Sequence, residues 1–308
     1  MKKNSNLISS QQSPEYICKN EYKYKKSFYG QMFIEDFCQL FSISLSKINK
    51  SRDFYVINSK DDHLYKLLNI ENNNFFEYVL DQQLQKIMYS LICEGKAFVE
   101  TVLLKDEDGN LFGILFVPLA ILKNRKHKKT TTFYARQSDN KIVQYEVSNN
   151  NLIVFDLTDL GFSSNYFIKL INKMKSLDIP NYSTIVSNPK LGFDIKKFQQ
   201  LTEFKLLKLH NRTFWDGRNH NNQYLSESYM LYRIAHYKLV RLQFLDYLLT
   251  KYNQALRRLG DDFGFFGEIV TTRKRIDYED CLSKLADGQL NTSQACKIII
   301  EDSTDMLG

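Results

Sequence analysis

Apolar residues recur along this chain with two periods, and each period marks a different kind of element. Spacing of three and four comes first. Phe33, Phe37, Leu40 and Phe41 predict a helix within Phe28–Leu45. Asp53–Ile57 reads as a short strand. After the Asn72–Asn74 break, Val79, Leu84, Ile87, Leu91 and Ile92 mark the buried side of a helix over Phe75–Cys93, and Gly95 stands where a C-terminal cap belongs. The pattern then turns strand-like. Ala97–Leu104 and Leu111–Val117 flank Asp106-Glu107-Asp108-Gly109, a hairpin signal because glycine tolerates positive φ. Thr130–Ala135 and Ile142–Val147 form a second such pair, and Leu152–Leu157 follows as a fifth strand. Together they predict a mostly antiparallel five-stranded sheet.

Beyond Gly161 the spacing is helical again. Phe162–Leu177 and Phe193–Phe214 read as helices, separated by a linker at Ile179–Gly192 that holds Pro180 and Pro189. Asp216–Gln223 is an Asn-rich break. Leu225–Leu259 contains neither glycine nor proline and would span about 50 Å as one helix, at 1.5 Å per residue. Gly260 is expected to end it. Along it, Leu242, Leu245, Leu249, Tyr252 and Leu256 advance in steps of three and four, a seam similar to a coiled coil and a candidate contact between copies of the chain. Asp277–Ala286 is a capped helix closed by Gly288, and a further helix begins at Asn291 or Thr292 and runs to Glu301. The fold class is therefore α+β: N-terminal helices plus the sheet, then a part rich in long helices.

Composition fits this picture. With 43% hydrophobic residues, a packed core is expected, and four prolines and twelve glycines in 308 residues leave few helix breakers. The net charge of +7 permits an anionic partner without demanding one. The five cysteines include no Cys-x-x-Cys pair, so reduced thiols are expected rather than a disulfide framework or zinc knuckle. The N-terminus carries no apolar run, and no segment approaches eighteen consecutive apolar residues, so neither a signal peptide nor a membrane span is expected.

The most prominent chemical feature is basic. Lys123, Arg125, Lys126, Lys128 and Lys129 fall within seven positions between the two hairpins, on an expected exposed loop. Mobile ammonium groups there could release counterions from DNA or RNA, and a solvated loop explains them equally well. Arg273, Lys274 and Arg275 form a weaker copy of this signal. Arg257 and Arg258 are read as complements to the negative end of the long helix. His210 and His220 invite a metal-nuclease reading, but helix capping and surface polarity account for them better. The Asp106–Asp108 carboxylates belong to a solvated turn, and Trp215 is expected to be a buried ring with a hydrogen-bonded nitrogen. Phosphate-loop, dinucleotide and serine-nucleophile motifs do not occur. No catalytic residue, metal or cofactor is expected.

Three stretches carry a family resemblance. Leu91-Ile92-Cys93-Glu94-Gly95-Lys96-Ala97-Phe98-Val99, the Asp106–Gly109 turn and Leu115-Phe116-Val117-Pro118 resemble the helix, glycine, strand, acidic turn and Pro-ended strand of tailed-bacteriophage portal proteins. Asn151–Phe155 resembles a later strand of that family. Leu285-Ala286-Asp287-Gly288-Gln289-Leu290-Asn291-Thr292 resembles the helix–glycine–Thr–helix ending of many portals. The resemblance implies a non-enzymatic virion protein, assembled in the host cytoplasm into a homo-oligomeric ring that is usually a dodecamer. Such a ring sits at one capsid vertex, and double-stranded DNA passes through it during packaging and ejection. Its other partners would be capsid, terminase and tail-adaptor proteins, with no membrane anchor. On this reading residues 1–27 form a mobile arm, 28–160 a wing-like α+β domain and 161–308 a stem- and crown-like helical region. The rival expectation is a nucleic-acid-binding or metal-dependent nuclease protein of a mobile element.

Overall fold

The computed structural model describes residues 27–39, 55–59, 62–68, 76–119, 123–136, 142–178, 195–218, 225–271 and 276–301. The expected N-terminal arm up to residue 26, the Ile179–Gly192 linker, His220 and the Arg273–Arg275 cluster lie outside the described residues.

Ser27 opens the first helix, α1 (Phe28–Cys38), by accepting a hydrogen bond from the Gly30 amide, so it belongs to the fold rather than to the arm. Phe33, Ile34 and Phe37 point inward at helical spacing. Strand β1 (Tyr55–Asn58) and a short helix α2 (His63–Leu68) follow. Helix α3 (Phe76–Glu94) buries Leu84, Ile87, Leu91 and Ile92 as the periodicity predicts. Val79 is instead exposed, and its neighbour Leu80 begins the buried stripe. Gly95 ends α3 with φ of 78°, a left-handed conformation that favours glycine.

The expected strands form, but not as one five-stranded sheet. Strands β2 (Lys96–Lys105), β3 (Leu111–Pro118) and β7 (Leu152–Asp156) make a three-stranded antiparallel sheet in the order β3-β2-β7. Strands β4 (Lys123–Lys126), β5 (Thr130–Arg136) and β6 (Ile142–Ser148) make a second, in the order β4-β5-β6. The separation has a simple cause. β7 returns to the free edge of β2, pairing Lys96 with Asp156 and Glu100 with Leu152, so the second hairpin has no edge of β2 left to join. It recruits the basic segment as its third strand, with Lys126 opposite Thr131. The two sheets meet through a small core of Leu119, Phe133, Val147 and Leu152, bordered by Phe98, Val117 and Tyr145.

Helices α4 (Tyr166–Asp178) and α5 (Ile195–Leu209) precede the long helix α6 (Glu227–Phe263). Ser226 caps α6 at its start. Its 37 residues span about 55 Å. Gly260 does not end it. That residue lies inside the helix, where a β-carbon would stand 2.3 Å from the Phe265 carbonyl oxygen, and Gly264, with φ of 74°, is the actual cap. Arg257 and Arg258 therefore stand before the last turn, and Arg257 pairs with Glu268 at 3.5 Å.

Strand β8 (Glu268–Thr271) then pairs with β1, and Asn253 of α6 fixes it by bonding both the amide and the carbonyl of Ile269. Helix α7 (Tyr278–Ala286) is capped by Asp277. The short helix α8 (Thr292–Cys296) opens with a reciprocal Asn291–Gln294 capping box and runs into a π-helical turn, Lys297–Glu301.

One main core takes residues from α1 through β8. The Phe37 ring lies 5.2 Å from Phe244 and 5.4 Å from Phe167, so α1, α4 and α6 interlock through aromatics. Residues on either side of position 160 thus share a single interior. A smaller core joins Leu231 and Ala235 of α6 to Tyr278, Cys281, Ala295 and Ile299. The fold is a mixed helix-and-sheet, α+β arrangement, and every strand pairing among the described residues is antiparallel.

Candidate nucleic-acid interface

The basic cluster is an edge strand and turn rather than a free loop. Strand β4 covers Lys123–Lys126 and lies at one side of its sheet, where lysine is a common guard against unwanted pairing. His127, Lys128 and Lys129 form the turn into β5, closed by the His127 amide donating to the Thr130 carbonyl at 2.8 Å. Residues from Asn124 to Lys129 are all exposed.

Asn149 holds this turn with its side-chain amide and its backbone N–H. Its side-chain amide donates to the His127 carbonyl at 3.1 Å and the Lys128 carbonyl at 3.3 Å. Its side-chain oxygen accepts from the Thr131 hydroxyl at 2.7 Å, and its backbone amide donates to the Lys129 carbonyl at 3.0 Å. The His127 ring reaches the Thr132 hydroxyl at 3.1 Å. Three consecutive carbonyls of the basic turn are therefore tied down while its cations face water. Sequence reasoning does not single out Asn149, which stands just before the Leu152–Leu157 strand. The available signal was the Asn at the end of the paired strand, a residue suited to bonding nearby backbone.

Some cations elsewhere in the fold have acidic partners. Arg218 contacts Asp36 at 2.6 Å and Glu35 at 3.1 Å, Lys96 pairs with Asp156 at 2.7 Å, and Lys251 pairs with Asp159 at 2.9 Å. Among the described residues, Arg125, Lys126, Lys128 and Lys129 have no such partner.

The proposed contact seam between copies is placed differently. Leu245, Leu249, Tyr252 and Leu256 are buried in the main core, and Leu242 packs against the smaller one. Val240, Phe244 and Leu248, off that seam, are buried too. The chain's own interior fills these faces from Leu245 onward, while Leu242 is only half-buried. Large apolar side chains are exposed elsewhere: Leu201 and Phe204, one turn apart on α5, are 51% and 55% exposed.

His210 is neither a surface residue nor a helix cap. It is fully buried, with its ring 4.9 Å from both Phe33 and Trp215. Its Nδ1 meets the Thr213 hydroxyl at 2.7 Å and its Nε2 the Met174 sulfur at 3.1 Å. Burial, aided by the nearby Arg233 cation, pushes its pKa down to about 3. A neutral ring with both nitrogens engaged inside an aromatic cluster is a core residue. Among the described residues, no group of His, Cys, Asp and Glu side chains has a metal-binding arrangement.

The remaining candidates are structural. Trp215 is buried and donates to Asp36 at 2.8 Å. Asp106 closes the acidic turn by accepting from the Asn110 side-chain amide at 3.1 Å and its backbone N–H at 2.7 Å, and these hydrogen bonds hold its carboxyl below the usual range. Glu100 faces the core between the two sheets, and burial raises its carboxyl. Cys38, Cys93 and Cys281 are buried free thiols. No helix among the described residues is long and apolar enough to cross a membrane. No protein-family model matches the chain, and no curated protein matches it.

Proposed function

We propose that the chain is a portal-like subunit, one copy of a ring-shaped channel at a phage capsid vertex through which DNA is packaged and ejected. The observation that supports this reading is an ordered set of parts. Helix α3 ends at a left-handed Gly95, β2 and β3 turn at Gly109 with φ of 85°, and β3 ends at Pro118 opposite Val99. Far along the chain, α7 gives way through the left-handed Gly288 to the Asn291-capped α8. These parts follow one another in the order of the stretches on which the portal resemblance rests. The 37-residue α6 supplies the long helix that a channel wall needs.

A ring of identical subunits is built from heterologous contacts, which need apolar surface outside the core. The exposed Leu201 and Phe204 on α5 supply such surface, whereas the α6 seam does not. Capsid, motor and tail-adaptor proteins would be the ring's other partners. Electron microscopy of the purified chain tests the reading. Closed rings of uniform subunit number are expected, and isolated monomers under all salt and concentration conditions would reject it.

A further inference from the structure

We infer that the turn His127–Lys129, with Arg125 and Lys126 on the adjoining strand, is a preset contact site for the phosphate backbone of duplex DNA, and that Asn149 is its positioning residue. The choice of duplex DNA rests on the conduit reading above; the site itself rests on three observations.

The first is unmatched charge. Four cations, Arg125, Lys126, Lys128 and Lys129, stand exposed within five positions without a carboxylate partner, a density of unpaired charge that no other described segment reaches. The second is rigidity. A solubilising loop has no need of a fixed backbone, yet Asn149 ties down the carbonyls of His127, Lys128 and Lys129. Holding the turn in advance removes ordering entropy that binding would otherwise cost. The third is composition. From Lys123 to Lys129 the one ring is that of His127, engaged by the Thr132 hydroxyl at 3.1 Å, and there is no aliphatic residue to enter a lipid layer. Cations alone, on an edge strand, make a backbone contact that ignores sequence. Such a contact suits DNA that must slide past.

Asn149 contributes no charge. It acts by fixing the turn from which Lys128 and Lys129 project. Its loss should therefore change the number of phosphates engaged at once without changing the net charge of the protein.

The test is fluorescence anisotropy of a labelled duplex bound by the full chain across a series of salt concentrations. The Lys126→Gln/Lys128→Gln/Lys129→Gln variant should bind with a log–log salt slope shallower by about three, since each lost phosphate contact removes about 0.9. Asn149→Ala should bind several-fold more weakly with a shallower slope, at unchanged charge. A Lys→Arg triple variant should restore the wild-type slope. A triple Gln variant with the wild-type slope overturns the site, and an Asn149→Ala protein that binds like wild type overturns the positioning role. Competition by polyglutamate as effective as unlabelled duplex at equal charge would transfer the site to an acidic polypeptide and overturn the DNA assignment. If the triple variant does not fold, Lys128→Gln/Lys129→Gln, confined to the exposed turn, gives the same reading with a slope change of about two. Micrographs of the same preparations separate the two ideas. Rings with an unchanged slope reject this site alone, and a reduced slope without rings rejects the conduit alone.

Discussion

The α-carbon of Gly95 lies directly against the backbone of Ser164: a β-carbon at position 95 would stand 2.0 Å from the Ser164 carbonyl oxygen. Gly95 thus meets two demands at once, a φ of 78° and a close approach between the start of β2 and the segment leading into α4. Gly109 meets only the first, with φ of 85° and open space around it. Gly109→Ala should cost about 1–2 kcal/mol, the left-handed penalty alone. Gly95→Ala should cost clearly more, because backbone on one side or the other must move. Urea denaturation of both variants checks this, and equal losses would remove the close approach from the account.

Asp36 ties α1 to the segment after α5. It accepts from the Trp215 ring nitrogen at 2.8 Å and from Arg218 at 2.6 Å, where Arg218 itself sits at a φ of 64°. Asp36→Ala would leave a buried indole N–H unsatisfied, at a cost of about 1–3 kcal/mol. A double-mutant cycle with Trp215→Phe should show coupling near 1 kcal/mol. Additive losses would mean that the Trp215 bond contributes nothing of its own.

Acid should unfold the protein partly through His210. Its pKa in the folded chain is pushed down to about 3, against about 6.5 in an unfolded one. The unfolded state therefore takes up a proton first as pH falls below about 6.5, and folding stability declines from there towards pH 3, by up to about 1.4 kcal/mol per pH unit. Stability measured by urea titration at a series of pH values should fall between pH 6 and pH 4, above the range in which most carboxylates titrate. His210→Gln should flatten that limb. An identical slope in the variant would place the acid sensitivity elsewhere.

Ring contacts and core contacts respond oppositely to substitution. Leu245→Ala, inside the main core, should cost about 2–5 kcal/mol of folding stability. Phe204→Glu, on the exposed face of α5, should change folding stability by less than about 0.5 kcal/mol. If α5 lies between neighbouring subunits, Phe204→Glu should nevertheless shift assembled protein to monomer in light-scattering chromatography. Unaltered assembly would move the contact off α5.

What could be read in the sequence was local. Gly95, the Asp106–Gly109 turn, Asp277 and the Asn291 cap declare themselves because a few neighbouring residues decide each of them. What could not be read depended on distant partners. Whether β7 or the second hairpin takes the edge of β2 is settled by a pairing between Lys96 and Asp156, far apart in the chain. Gly260 looks like a terminator, but the approaching Phe265 carbonyl makes it a point of close contact. The Leu242–Leu256 seam has the spacing of an interface, and the same spacing serves a helix that buries its flanks in its own domain. The basic cluster was visible as charge, but its fixed backbone was not, because Asn149 reaches it from the far side of a hairpin.

Helix α6 belongs to both hydrophobic interiors: its first turns pack with α7 and α8, and its later turns with the β2–β3–β7 sheet. It is therefore a mechanical strut. Force applied to the C-terminal helices, by whatever grips them, travels along about 55 Å of unbroken backbone into the sheet. No glycine or proline between Ser226 and Leu259 offers a place to buckle. A single glycine pair inserted midway should decouple the two ends, leaving each interior packed while the strain between them is no longer shared.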